Sequence, residues 1–265
     1  MRKVVITGST KGIGFALARE LLRRGHHVVV SGRAQAAVDD AVERLRPEAA
    51  GEATVHGRAV DVTDAARVEE LWTAAVDAFG GVDLWINNAG VAHTTRPIVE
   101  TTADDVRTMV TTNMLGTVYG SQVAVRGMRA HGGGQLFNIL GGGSDGRIRS
   151  GMGVYSATKR GLDSFTRALA KEVAGTGVRV GQVRPGILIT EGWLREAAAA
   201  PELVAEQRKM LNILCDHVDD VAPYLVGRML ASTRNGDAIA WLTTGRMTRK
   251  FLTMRERDVL SRYGL

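Results

Sequence analysis

Residues 7–14 read Thr-Gly-Ser-Thr-Lys-Gly-Ile-Gly, directly after the apolar run Val4-Val5-Ile6 and directly before an amphipathic helical pattern. That order dictates a strand, a tight turn and a helix N-terminus. Such a turn points backbone N–H groups and the positive end of a helix dipole at one spot, which suits a pyrophosphate. Gly8 permits the turn, Gly12 lets backbone approach the anion, and Gly14 lets the helix pack closely on the strand. Their spacing departs from the generic G-x-G-x-x-G pattern. Ser9, Thr10, Lys11 and Ile13 complete the expected cradle, the first two with hydroxyls and Lys11 with a cation.

The same strand–helix order repeats along the chain. Apolar runs at 4–6, 28–30, 54–60, 82–86, 136–140, 178–183 and 239–242 predict seven short strands. Helical patterns fill 14–24, 36–46, 65–79, 103–129, 154–174, 202–214 and 218–230. Buried strands joined by crossover helices imply an α/β, doubly wound Rossmann fold, a seven-stranded parallel sheet with helices on both faces. Gly25, Gly80, Gly175 and Gly177 sit where helix C-caps are expected. No repeat or linker divides the chain, so residues 1–265 read as a single dinucleotide-binding catalytic domain. Ligands of such sheets lie outside the carboxyl ends of the strands, and each chemistry-bearing motif of the chain falls at such an end.

Composition excludes several classes. No apolar run is long enough to span a bilayer, and the first strand starts at Lys3, so a cytoplasmic chain without a leader is expected. A single cysteine, Cys215, rules out an internal disulfide. The six histidines are scattered and lack cysteine partners, so no metal site is expected. Much of the net charge of +6 sits near the end, in Arg246, Arg249, Lys250, Arg255, Arg257 and Arg262. This basic extension, 244–265, lacks aromatic interleaving and any groove-binding motif. It reads as a solvated or interface helix, not as a nucleic-acid contact.

The second strand ends in Ser31-Gly32-Arg33. A site for NAD places an acidic side chain here to bond the ribose 2′-OH. None is present, and Asp39 and Asp40 lie further on, in a helix. Arg33 can instead meet a 2′-phosphate in a charge-assisted pair, with Lys11 as a second cation and Ser31 as a further hydroxyl. NADP(H) is therefore the expected cofactor. In Tyr155-Ser-Ala-Thr-Lys159 the tyrosine and lysine are four apart and share one helix face. The ammonium is expected to favour the phenolate and draw the tyrosine pKa down toward neutrality. A phenol so tuned exchanges a proton with a carbonyl oxygen efficiently.

The glycine turn, Asn87-Asn88-Ala89-Gly90 and Tyr155-x-x-x-Lys159 together resemble the short-chain dehydrogenase/reductase family, over most of the chain. The resemblance implies that Tyr155 is the general acid and that Lys159 holds the nicotinamide ribose. It implies that Asn88, Ala89 and Gly90 border that ribose and that Asp61-Val62 contacts the adenine, although Asp61 could instead cap the next helix. Asn113 would hold a water near the lysine, or simply bond neighbouring backbone. Pro185, Gly186 and Ile187 would line the nicotinamide, with Thr190 on its carboxamide. A homodimer or homotetramer through the helices around 103–130 and 154–174 is also implied.

One departure matters. The family usually has Ser-Ser after the Asn-Ile of strand five, the second serine polarising the substrate carbonyl. Here Asn138-Ile139 is followed by Leu140-Gly141-Gly142-Gly143-Ser144-Asp145. The expected substitute is Ser144, swung in by the glycines as the oxyanion-side donor. The alternatives are Tyr155 alone, a backbone N–H, or Asp145. The same loop, 137–147, resembles the chlorophyll(ide) b reductase branch of the family, as do 155–160, 209–214 and 221–226. That branch reduces a ring formyl group to hydroxymethyl.

Residues 190–214 are expected to form a substrate lid. Trp193, Leu194, Met210, Leu211, Ile213 and Leu214 would give it apolar surface, toward a bulky hydrophobic carbonyl substrate, or toward the protein body or a partner subunit. His93, Arg96, Arg147 and Arg149 are candidate contacts for polar substrate groups. Alternative readings are a general ketone or 3-oxoacyl reductase, an alcohol dehydrogenase, and a catalytically weak NADPH-binding regulator.

Overall fold

A computed structural model describes residues 1–147, 150–253 and 258–263. Strands β1 (Lys3–Ile6), β2 (His27–Gly32), β3 (Val55–Ala59), β4 (Leu84–Asn87), β5 (Gly134–Ile139) and β6 (Val178–Arg184) belong to the main sheet. Two further strands, β7 (Ile187–Ile189) and β8 (Cys215–His217), stand apart from it, and β9 (Ala238–Ala240) returns to it. The main sheet is parallel, in the order β3-β2-β1-β4-β5-β6-β9. The order reverses between β1 and β4, which places the switch point at the glycine turn.

The helices are α1 (Gly12–Arg23), α2 (Gln35–Leu45), α3 (Ala65–Phe79), α4 (Ala103–Met109), α5 (Gly116–Ala130) and α6 (Gly153–Glu172), then α7 (Glu191–Ala199), α8 (Pro201–Leu214), α9 (Val218–Ala231) and α10 (Thr244–Leu252). Strand alternation sends Val4 and Ile6 to one face, against Leu17, Leu21 and Leu225. It sends Val5 to the other, with Leu71, Trp85 and Met128. Both faces are therefore covered, as the apolar strands require.

Three features differ from the sequence reading. The expected helix 103–129 is divided by a π-turn, Val110–Leu115, and Asn113 lies in it. Such turns interrupt helices frequently at functional sites. Helix α7 and the strands β7 and β8 have no counterpart in the sequence pattern. The two strands pair in parallel through three residues each, too few to give an apolar pattern, and Cys215-Asp216-His217 is partly polar. The C-terminal extension is solvated along most of α10, where Thr244, Arg249, Phe251 and Leu252 are exposed, yet two of its cations are anchored to the protein body, which the sequence pattern does not suggest. Lys250 is buried and ion-paired with Asp216, which also accepts from Trp241 Nε1 at 2.6 Å. The Arg246 guanidinium stacks 3.7 Å from the Trp241 ring centroid and 4.1 Å from that of Tyr224. Beyond α10, Val259 and Leu260 are buried against Ile189 and Cys215. Arg255 and Arg257 lie outside the described residues. No helix among the described residues is long and apolar enough to cross a membrane.

Candidate active site

The glycine turn lies between β1 and α1, braced from the loop after β4. Asn88 Nδ2 donates to the carbonyls of Thr7 (3.0 Å) and Gly8 (2.8 Å), while Thr7 Oγ1 accepts from the Asn88 and Ala89 N–H groups. Gly8 has φ +62°, and a Cβ there would meet Ala89 Cα at 2.7 Å. A Cβ on Gly14 would meet Asn88 Nδ2 at 2.5 Å. These positions admit only glycine. No side chain caps α1 at Lys11, so its first-turn N–H groups suit an anion. Thr190 lies against this turn: a Cβ on Gly12 would be 3.5 Å from Thr190 Cγ2.

The hydroxyls of Ser9 and Ser31 do not face a phosphate, contrary to expectation. Ser9 Oγ donates to Ile6 O (2.7 Å) and accepts from Ser31 N (2.9 Å), and Ser31 Oγ also turns to Ile6 O. Both residues are fully buried, so they knit β1 to β2 instead. Thr10 stays at the rim beside Gly32. Arg33 is exposed in a groove with Arg58, Asp61, Asp64 and Arg67. Arg58 and Arg67 are both paired with Glu70. Among the described residues Arg33 has no ion-pair partner. Asp64, not Asp61, caps α3, which leaves Asp61 facing the groove. Val62 is buried against Gly116. This cradle fits a dinucleotide, with the Arg33 cation at the end of β2.

Tyr155 and Lys159 sit on the first turns of α6 at the carboxyl end of β5. Lys159 is buried, and its Nζ donates to Ile139 O at 3.2 Å and lies 5.8 Å from the Tyr155 ring centroid. Burial pushes its pKa down from 10.5 to about 8. Burial also pushes Tyr155 up from 10.0 to about 12. The expected drop of the tyrosine toward neutrality is therefore corrected: desolvation dominates, and the phenol is held protonated. Asn113 is fully buried. Its Oδ1 accepts from Val91 N (2.8 Å), and its Nδ2 donates to Val91 O (2.9 Å) and Thr158 Oγ1 (3.1 Å). Its amide thus bonds neighbouring backbone and braces the loop after β4 against α6.

Ser144 requires a second correction. Its hydroxyl is buried, not aimed as a free donor; it donates to Gly141 O at 2.7 Å and accepts from Arg184 Nε at 3.1 Å. The usual serine position is filled by Gly141. A Cβ there would come closer to the Tyr155 hydroxyl than the 3.0 Å that real Cβ atoms keep. The tyrosine tip thus lies against bare backbone.

Residues 2–200 match the family model of the short chain dehydrogenases. The chain belongs to the short-chain dehydrogenase/reductase family. It is 36% identical over 267 residues to the probable chlorophyll(ide) b reductase NYC1 of Arabidopsis thaliana, covering 95% of this chain and 53% of that protein. It is 38% identical over 237 residues to chlorophyll(ide) b reductase NOL of Oryza sativa subsp. japonica, covering 88% and 67%. The chain thus spans only about half the length of NYC1. Among solved structures, levodione reductase superposes with a TM-score of 0.82 at 26% identity, covering 93% of this chain and 98% of that one.

The chain thus shares its family with oxidoreductases acting on CH–OH or C=O groups. In residues 190–214 the structure shows the alternative in which the apolar side chains pack on the protein body. Trp193, Leu194 and Leu211 pack with Ile187, Ile189 and Leu260 in a small separate core, and Ile213 and Leu214 are buried. Of the six apolar lid residues, Met210 is the one that stays exposed. Thr190 Oγ1 caps α7 by accepting from Trp193 N at 3.2 Å. Pro185 is buried, and Gly186 (φ +85°) turns the chain from β6 into β7. His93 lies 3.6 Å from Asp105 and 3.8 Å from Glu196 of α7, and Arg96 lies 3.8 Å from Asp105. Arg147 pairs with Asp145 at 3.5 Å. These three side chains are occupied by carboxylates, and Arg149 lies outside the described residues. Sequence reasoning missed Arg184 and Asp163; each lies in an ordinary strand or helix pattern, and only the fold brings them to the loop.

Proposed function

We propose that the chain is an NADPH-dependent carbonyl reductase and that its substrate is a bulky, apolar aldehyde of the ring-formyl class found in chlorophyll(ide) b. The observation that carries this reading is the placement of Tyr155 at the carboxyl end of β5, its hydroxyl against the Gly141 backbone and its ring 5.8 Å from the buried Lys159 ammonium. A phenol held in its acid form suits proton donation to a carbonyl oxygen, hence reduction. The reductases NYC1 and NOL support the substrate class. When bound, the nicotinamide supplies a hydride to the carbonyl carbon. Lys159 would hold the ribose and, as an ammonium, favour the phenolate left on Tyr155. Asn88, Ala89 and Gly90 would border that ribose, and Asp61 and Val62 the adenine. Ile187, after Pro185-Gly186, would line the ring, with Thr190 at the lid hinge on its carboxamide. A homodimer or homotetramer through the helical segments around 103–130 and 154–174 belongs to the same reading, supported by the exposed Val110 and Leu115 of the π-turn.

The test is NADPH oxidation with chlorophyllide b, followed by the pigment's absorption shift. Tyr155→Phe is expected to lower turnover by about 10²–10⁴-fold, the usual worth of a general acid, while NADPH still binds. NADPH binding without pigment turnover would remove the substrate class and leave a general ketone reductase. Turnover unchanged by Tyr155→Phe would leave a weak NADPH-binding protein.

Arg33 carries the cofactor choice. Arg33→Glu is expected to raise the KM for NADPH by about 10–100-fold, the worth of a charge-assisted bond, with NADH hardly affected. Equal loss with both cofactors would overturn the 2′-phosphate role.

A further inference from the structure

We propose that Asp163, Arg184 and Ser144 form a positioning device that fixes the glycine loop against the Tyr155 hydroxyl. Asp163 lies on α6, eight residues beyond Tyr155, with a side chain only 5% exposed. A buried carboxylate must be paired. Arg184 Nη2, from the end of β6, meets its Oδ1 at 2.7 Å, and Arg167 Nε meets its Oδ2 at 3.1 Å. Arg167 is well exposed, so the Arg184 pair is the stronger anchor.

Arg184 faces two ways. Its Nε donates to Ser144 Oγ at 3.1 Å while Nη2 holds the carboxylate. A planar guanidinium relates those directions rigidly, so the position of Asp163 dictates that of Ser144. Ser144 passes the constraint on: its hydroxyl (2.7 Å) and its N–H (3.2 Å) both donate to Gly141 O. From the other side Arg160 Nη1 donates to Ser144 O at 3.0 Å.

The need for such a device follows from the loop itself. Three successive glycines have the greatest backbone freedom of any tripeptide. Yet Gly141 abuts the Tyr155 hydroxyl, and Gly143 (φ +82°) packs on Ser156, with no room for a Cβ at either place. Side chains of the loop cannot hold it there, because it has none until Ser144. The clamp runs back to α6, the helix that carries Tyr155 and Lys159, so loop and catalytic pair move as one body. Ser144 is then a positioning residue and not a donor to substrate.

The kinetic arm of the test rests on the carbonyl-reductase reading; the spectroscopic arm does not. Two variants of the full chain are compared, Ser144→Ala and Arg184→Lys. The lysine keeps a cation for Asp163 but cannot fork, so the fold is preserved and the Ser144 bond is lost. Both are expected to lower kcat about tenfold with the KM for NADPH unchanged, and the double variant to be no worse than either single one. Ultraviolet titration of Tyr155, read as the difference from Tyr155→Phe, is expected to fall toward an ordinary tyrosine in both as the freed loop admits water. If Ser144→Ala loses activity while Arg184→Lys matches wild type, Ser144 acts directly on substrate and the device is refuted. Unchanged titration and kcat in both would refute it as well. If wild type turns over no aldehyde, the carbonyl-reductase reading has failed, and the titration alone decides the device.

Discussion

Replacing Lys159 by methionine is expected to abolish turnover and, at neutral pH, to stabilise the fold. The buried ammonium has a pKa of about 8 in place of 10.5. That shift corresponds to a burial cost of about 3 kcal/mol at pH 7. Methionine has similar length, no charge, and fits irregular apolar space. The lost bond to Ile139 O returns about 1 kcal/mol, leaving a net gain of about 2 kcal/mol, or about 5 °C in Tm. The sign can be checked against pH. The folded pKa lies below the unfolded one, so between about 8 and 10.5 the unfolded chain binds the extra proton. Wild-type stability from this group therefore rises with pH across that window and is lost as pH falls through about 8. Tyr155, raised from 10.0 to about 12, acts oppositely above pH 10. Thermal melts of both proteins from pH 7 to 10 measure this; the gap between them should narrow as pH rises. A variant less stable than wild type at pH 7 would show that the ammonium is well satisfied where it lies.

Putting serine back at 141 is expected to harm the enzyme, although that is where the family usually carries one. The added Cβ would fall on the Tyr155 hydroxyl, and the phenol would have to withdraw by about 1 Å. Misplacement on that scale costs about 10²-fold in rate. The clash is with a side-chain tip, so melting should change little. Gly141→Ala and Gly141→Ser should suffer alike in kcat with chlorophyllide b or a substitute aldehyde. A serine variant that outperforms both alanine and wild type would mean that the site lacks a donor and that the tyrosine yields readily.

What can be read in the sequence is local. The glycine turn, Asn88 and Tyr155-x-x-x-Lys159 work through neighbours a few residues away or through one predictable strand end, and the structure assembles them at the switch point. The setting of Ser144 is not legible in this way, because its acceptor is Gly141 but its donor, Arg184, lies forty residues on. Nor is the tyrosine pKa, because helix spacing gives the neighbour but not the depth of burial. The cations near the C-terminus give no sign of their partners either. Asp216 of β8 and the Trp241 and Tyr224 rings meet Lys250 and Arg246 only after the sheet has folded.

That last arrangement governs the order in which the protein becomes competent during synthesis. The ribosome releases the glycine turn, Tyr155 and Lys159 well before the residues that pack on β7 and β8. Chains fold from the N-terminal end as they emerge. A nascent chain can thus close its cofactor cradle while β8 still waits for Lys250 and while Asn212 waits for the N–H of Leu260. The small core around Ile189 and Cys215 is completed last, so a chain cut short by a few dozen residues would keep the cradle and leave that core unfilled.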